Sequence, residues 1–160
     1  EKQQSTQITS DDDSIKDNTN IAPYSWWSGL DHNSQLLPTN QGTNNIKSHE
    51  YSSNADYSIK TLITEQLPTQ YTGFTLDLFE TNNEITFSCD IKTQIPLSLT
   101  LFILKNTWSV KSTQIPVGNH CNISVSTLLD DEITRLWFRL DATNQPEGSI
   151  FFIDNVRIIQ

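Results

Sequence analysis

From Ala55 to the end of the chain, apolar and polar residues alternate with a period of two. Ala55–Thr64 puts Tyr57, Ile59 and Thr61 on one face and Ser58, Lys60 and Leu62 on the other. Gly73–Glu80 sets Phe74, Leu76 and Leu78 against Asp77 and Phe79. Glu84–Thr93 alternates most cleanly, with Ile85, Phe87, Cys89 and Ile91 opposite Thr86, Ser88, Asp90 and Lys92. Such segments predict strands with one dry and one wet face. Leu97–Leu104 has an inner set of Leu97, Leu99, Leu101 and Ile103, and an outer set that ends in Phe102 and Leu104. That outer set is too apolar to be plain solvent surface.

Val110–Val117 is a weaker strand ending at a Pro116–Gly118 turn. His120–Thr127 turns Cys121, Ile123 and Val125 inward, and Arg135–Asp141 does so with Leu136, Phe138 and Leu140. Leu128–Ile133 fits a single helical turn. Ser149–Gln160 is a closing strand interrupted by Asp154-Asn155, a polar pair suited to a bend or bulge. Its apolar residues need a sheet already built by earlier ones. No 3.6-residue period and no internal repeat is present. About seven or eight short strands at even spacing predict an all-β, two-sheet antiparallel β-sandwich.

The early chain differs. Residues 1–20 carry almost no large apolar side chains and hold an acidic run at Asp11–Asp13, so they read as a disordered or linker leader. Residues 21–160 read as the single sandwich domain. Residues 21–50 are punctuated by Pro23, Gly29, Pro38 and Gly42 and read as irregular. Trp26 and Trp27 are adjacent, so a strand would send them to opposite faces. One is expected in the core and the other at a rim.

Composition narrows the function classes. A formal net charge of -9 leaves no basic patch for nucleic acid or an anionic membrane. No apolar run is long enough to insert in a bilayer. Abundant Asn, Thr, Ser and Gln with scarce Lys fit a secreted or cell-surface protein, and a chain starting at Glu1 with no Met reads as an excised piece of a larger one. Cys89 and Cys121 admit two readings. A disulfide would contribute about 3–4 kcal/mol in the chain-entropy model, and two buried free thiols would act as small hydrophobes. Asn122-Ile123-Ser124 is a glycosylation sequon. No nucleophile elbow, zinc-protease helix motif, phosphate-cradling loop or nucleotide fingerprint occurs, so no enzyme is expected.

Four pieces carry a family resemblance: Tyr57–Lys60, Ile85–Lys92, Arg135–Asp141, and the closing Phe151-Phe152-Ile153-Asp154-Asn155-Val156. Together they resemble the carbohydrate-binding modules associated with xylanases and cellulases, over roughly residues 50–160. The resemblance implies a galactose-binding-like jelly roll, a glycan partner, a place as one module of a larger protein, and a structural calcium ion using Asp154. An aspartate at a bulge also suits plain hydrogen bonding to nearby amides. The usual opening Asn-Gly-x-Phe-Glu strand is missing here, as is the tryptophan often found in the strand at His120–Thr127.

A sugar offers an apolar CH face and a rim of hydroxyls, so binding asks for flat rings beside planar polar groups. Trp137 and Arg139 stand two apart on the polar face of one strand. Phe102 and Asp90 are candidates to join them from neighbouring strands. Trp26, Trp27 and Trp108 offer a second arrangement on edge loops. Two bland readings stand beside these. Trp137 and Phe102 could cover a small second core, and the chain could be a structural or adhesive sandwich domain of a surface or viral tail protein, binding no glycan.

Overall fold

A computed structural model describes residues 7–9, 36–51, 58–76 and 81–159. Among them are eleven strands and no helix: β1 (Gln7–Thr9), β2 (Leu36–Gln41), β3 (Thr43–Ser48), β4 (Ser58–Ile63), β5 (Gln70–Leu76), β6 (Glu84–Thr93), β7 (Leu97–Leu104), β8 (Trp108–Ile115), β9 (Gly118–Leu128), β10 (Arg135–Ala142) and β11 (Ile150–Ile159). All pairs are antiparallel. One sheet runs β3-β4-β11-β6-β9, with β1 on β11, and the other runs β2-β5-β10-β7-β8. The chain is an all-β jelly-roll sandwich, as its period-two pattern predicts. We call the two layers the β11 sheet and the β10 sheet.

The core forms where the dry faces meet. Phe74 and Phe138 from the β10 sheet pack on Phe87 from the β11 sheet, with ring centroids 5.2, 6.0 and 4.9 Å apart. All three are buried, as are Ile85, Ile91, Leu99, Leu101, Leu136 and Ile153 around them. Truncating such a Phe to Ala typically costs about 3–5 kcal/mol.

Several expectations needed adjustment. The stretch read as irregular contains β2 and β3, which belong to different sheets. Gly42 makes the corner between them at φ 66°, and an added Cβ would lie 3.0 Å from the Glu65 carbonyl oxygen. Polar Thr, Asn and Gln dominate both strands, so alternation gave no signal there. Gln7–Thr9, inside the stretch read as a leader, pairs with the end of β11. The expected helical turn at Leu128–Ile133 is a hydrogen-bonded turn instead, with Asp130 accepting the Glu132 N–H at 2.9 Å.

The closing strand does carry its bulge. Its register with β6 shifts between Asp154 and Arg157, and Asn155 takes φ 51°. A second irregularity, in the β6–β9 pairing between Cys89 and Ile91, changes Cys121. It is exposed rather than turned inward, while Cys89 is buried, and both are free thiols. The extra β9 residue opposite the irregularity breaks the alternation that pointed Cys121 to the core.

Candidate functional site

The outward face of the β10 sheet is set by register. Trp137 lies between Thr75 of β5 and Phe102 of β7, and Phe102 lies beside Val110 of β8. One step on, Arg139 lies between Gly73 and Thr100. One step further, Asp141 lies between Tyr71 and Ser98. Period two on four strands thus delivers three of the predicted residues, Trp137, Arg139 and Phe102, to one surface. Trp108, at the start of β8 opposite Leu104, adds a fourth.

The rings are contiguous. Tyr71 meets Trp137 edge-on at 5.5 Å and 85°, Trp137 meets Phe102 at 5.3 Å and 38°, and Phe102 meets Trp108 at 6.3 Å and 88°. Trp108 also approaches Trp137 at 6.1 Å. The result is a stepped ridge rather than a coplanar sheet of rings. Tyr71, Phe102 and Trp137 are half-buried, whereas Trp108 is 46% exposed and Val110 is 55% exposed. The Trp137 indole N–H donates to Thr39 Oγ1 at 2.9 Å, which ties the ring to β2.

Arg139 organises the middle of the ridge. Its guanidinium carbon lies 4.0 Å from the Tyr71 ring centroid and 4.5 Å from those of Phe102 and Trp137. Nε donates to Asp141 Oδ1 at 2.8 Å, with the two side chains only 11% and 16% exposed. The cation is thus held by three ring faces and one carboxylate. Gly73 opposite it has no side chain to compete for that space. A Cβ there would collide with the Phe138 carbonyl oxygen and lie 2.9 Å from Arg139 Cα.

The remaining predicted residues fall elsewhere. Asp90 does not join the ridge. It is on β6, in the other sheet, where it is buried and accepts the Asn122 N–H at 2.8 Å. Alternation tells which face of its own strand a residue takes, not which sheet the strand enters. Trp26 and Trp27 lie outside the described residues. Asp154 is buried at the β11 bulge, in register with Asp90, and accepts the Asn155 N–H at 2.8 Å. Asn155 Oδ1 beside it is buried without a hydrogen-bond partner. Carboxylate and amide oxygens are the hard donors that a calcium ion takes, although no group of three or more His, Cys, Asp or Glu gathers among the described residues.

Tyr71, Thr39, Gly73 and Asp141 are contributors that the sequence reading missed. Tyr71 had a signal: Tyr71, Gly73 and Thr75 alternate with Thr72, Phe74 and Leu76, which extends β5 back past Gly73.

With two such layers, the chain has a jelly-roll sandwich fold, and solved carbohydrate-binding modules are similar to it in fold. The C-terminal family 22 carbohydrate-binding module of Clostridium thermocellum Xyn10B matches with a TM-score of 0.54 at 13% identity, over 78% of this chain and 84% of that one. TmCBM61, solved with β-1,4-galactotriose, matches with 0.54 at 8% identity, over 78% and 88%. The enzymatically active domain of tailspike protein 4 from bacteriophage CBA120 matches with 0.62 at 12% identity, over 78% of this chain but 19% of that one. No protein-family model and no curated protein matches the sequence.

Proposed function

We propose that this chain is a non-catalytic carbohydrate-binding module that takes a poly- or oligosaccharide along the outer face of the β10 sheet. The observation that carries the reading is the ridge Tyr71–Trp137–Phe102–Trp108, whose first three rings enclose one charge-paired arginine. Rings stepped across four neighbouring strands offer successive apolar surfaces to successive pyranose CH faces. Each aromatic contact contributes about 0.5–1.5 kcal/mol beyond area burial. Arg139 and Asp141 offset one another, which suits uncharged sugar units better than acidic ones. The terminal guanidinium N–H groups and the free Asp141 oxygen can meet hydroxyls at the rim.

The same reading makes the chain a secreted or cell-surface module of a larger protein. A xylanase of Clostridium thermocellum that shares the fold carries its module joined to a catalytic one. A structural calcium at the β11 bulge belongs to it too, held by Asp154 with Asn155 Oδ1, and it would fix the bulge by charge. No helix among the described residues is long and apolar enough to cross a membrane.

The likeness to a phage tailspike leaves one other reading open, a structural or adhesive domain with no glycan ligand. A panel of soluble polysaccharides (xylan, β-1,4-galactan and mixed-linkage glucan), titrated with tryptophan fluorescence as readout, separates the two. Saturable quenching by one polymer supports the module. A flat response to every polymer of the panel supports the structural domain.

A further inference from the structure

On the opposite side of the sandwich, the outer face of the β11 sheet carries a concavity. One register row there runs Lys60 of β4, Phe152 of β11 and Lys92 of β6, ending at Asn119 of β9. Above this row Tyr51 leans on Phe152, with centroids 5.8 Å apart, and its hydroxyl donates to Asn119 Oδ1 at 3.1 Å. A pocket of about 430 Å³ opens beside them, with Phe152 and Ile150 as apolar lining and Gln94 and Asn119 as exposed amides. That volume falls in the range of about 300–1,000 Å³ that small-molecule sites occupy.

The charges in the pocket are asymmetric. It is lined by Glu50 and Lys92. The Glu50 carboxylate is already engaged by Lys60 Nζ at 2.7 Å. Lys92 Nζ instead sits 5.4 Å from the Tyr51 ring centroid, and no carboxylate among the described residues pairs with it. A lysine in a chain of net charge -9 that pairs with no described carboxylate faces the pocket as its one unneutralised charge. Gly118 lines the pocket at φ 137°, a backbone conformation that a side chain would strain.

We propose that this pocket is a second binding site, for a single acidic pyranose such as a uronic acid. Lys92 takes the carboxylate, the Gln94 and Asn119 amides take ring hydroxyls, and Phe152 with Ile150 underlies the CH face. The ridge on the β10 sheet presents a paired cation and anion. This pocket presents a cation that pairs with no described carboxylate, so the two sites select sugars of different charge.

The test titrates the full chain with sodium glucuronate and sodium galacturonate, following ¹H–¹⁵N spectra. Acetate and neutral methyl glucoside serve as comparison ligands. The uronates are expected to shift the Gln94 and Asn119 side-chain amides saturably while leaving the Trp108 and Trp137 indole signals unmoved. Acetate and methyl glucoside should bind more weakly, and salt should weaken uronate binding. Losing one charge-assisted contact in Lys92→Gln should reduce affinity about tenfold or more, and Gln94→Ala should reduce it with Lys92 intact. The proposal is overturned if no amide shift saturates, if acetate or methyl glucoside does as well as the uronates, or if Lys92→Gln binds like the parent.

Discussion

Replacing Arg139 by Gln tests whether the ring ridge is held together by a cation. The substitution removes the Nε–Oδ1 bond to Asp141 at 2.8 Å, in a pair 11% and 16% exposed. A hydrogen bond between charged groups contributes about 1.5–3 kcal/mol, and more is lost when its partner stays buried. The guanidinium also lies 4.0–4.5 Å from three ring centroids. Partly desolvated cation–π contacts are worth about 0.5–2 kcal/mol, and three rings sharing one cation do not add fully. The Gln stem retains some packing, so the expected loss is about 2–4 kcal/mol. For a chain of this length each kcal/mol moves the melting temperature by about 2–4 °C, so a fall of roughly 5–15 °C is expected. Urea unfolding followed by circular dichroism should show a lower midpoint at unchanged slope. A cycle of Arg139→Gln, Asp141→Asn and the double variant should give a coupling of about 1 kcal/mol or more. A loss under about 0.5 kcal/mol for Arg139→Gln would refute the claim that the cation holds the ridge together, because surface substitutions already reach that size.

Gly73→Ala should destabilise the β5–β10 pairing by about 1–3 kcal/mol or more, because the new Cβ meets backbone that cannot rotate away. Thermal melting checks this, and an unchanged midpoint would mean the strands lie further apart. Ellman's reagent should titrate exposed Cys121 in the folded protein and reach buried Cys89 only on unfolding. Burial, and then the Asp90 carboxylate, push the Cys89 thiol well above its ordinary value of 9.0. Its contribution to stability is therefore complete below that value and is lost as pH rises and the unfolded thiol ionises. Above pH 9 the parent should lose about 1.4 kcal/mol per pH unit relative to Cys89→Ala, and parallel pH–stability curves would contradict this. Adding calcium to chelator-treated protein should raise the midpoint by about 5–10 °C at a hundredfold excess over Kd. Asp154→Asn should abolish the rise, and superimposable melts of the parent with and without calcium would count against the ion.

Much of the fold was legible because its strands are amphipathic. Glu84–Thr93 and Leu97–Leu104 occur with the predicted bounds, since a dry face of Ile, Phe and Leu admits only one orientation. Strands β2 and β3 were not legible. Their stabilisation comes from pairing and from polar bonds such as Asn45 Nδ2 to Thr72 Oγ1 at 2.8 Å and Thr61 Oγ1 to Asn45 Oδ1 at 2.7 Å. Such bonds leave no hydrophobic period. The ridge was half legible. Trp137 and Arg139 share a strand, so their spacing is written in the sequence. Asp141 is two residues from Arg139 on that strand, whereas Tyr71 meets Arg139 only through cross-strand register, and Asp90 was misplaced because alternation does not say which sheet a strand enters.

The most direct check is affinity electrophoresis of the parent and Trp108→Ala against the polymer that quenches tryptophan fluorescence. Trp108 is 46% exposed, so its removal should leave the melting temperature within about 1–2 °C. Loss of one stacking ring should weaken binding about threefold to tenfold. A variant that is equally stable and equally retarded by the polymer would show that the glycan does not lie on the ridge.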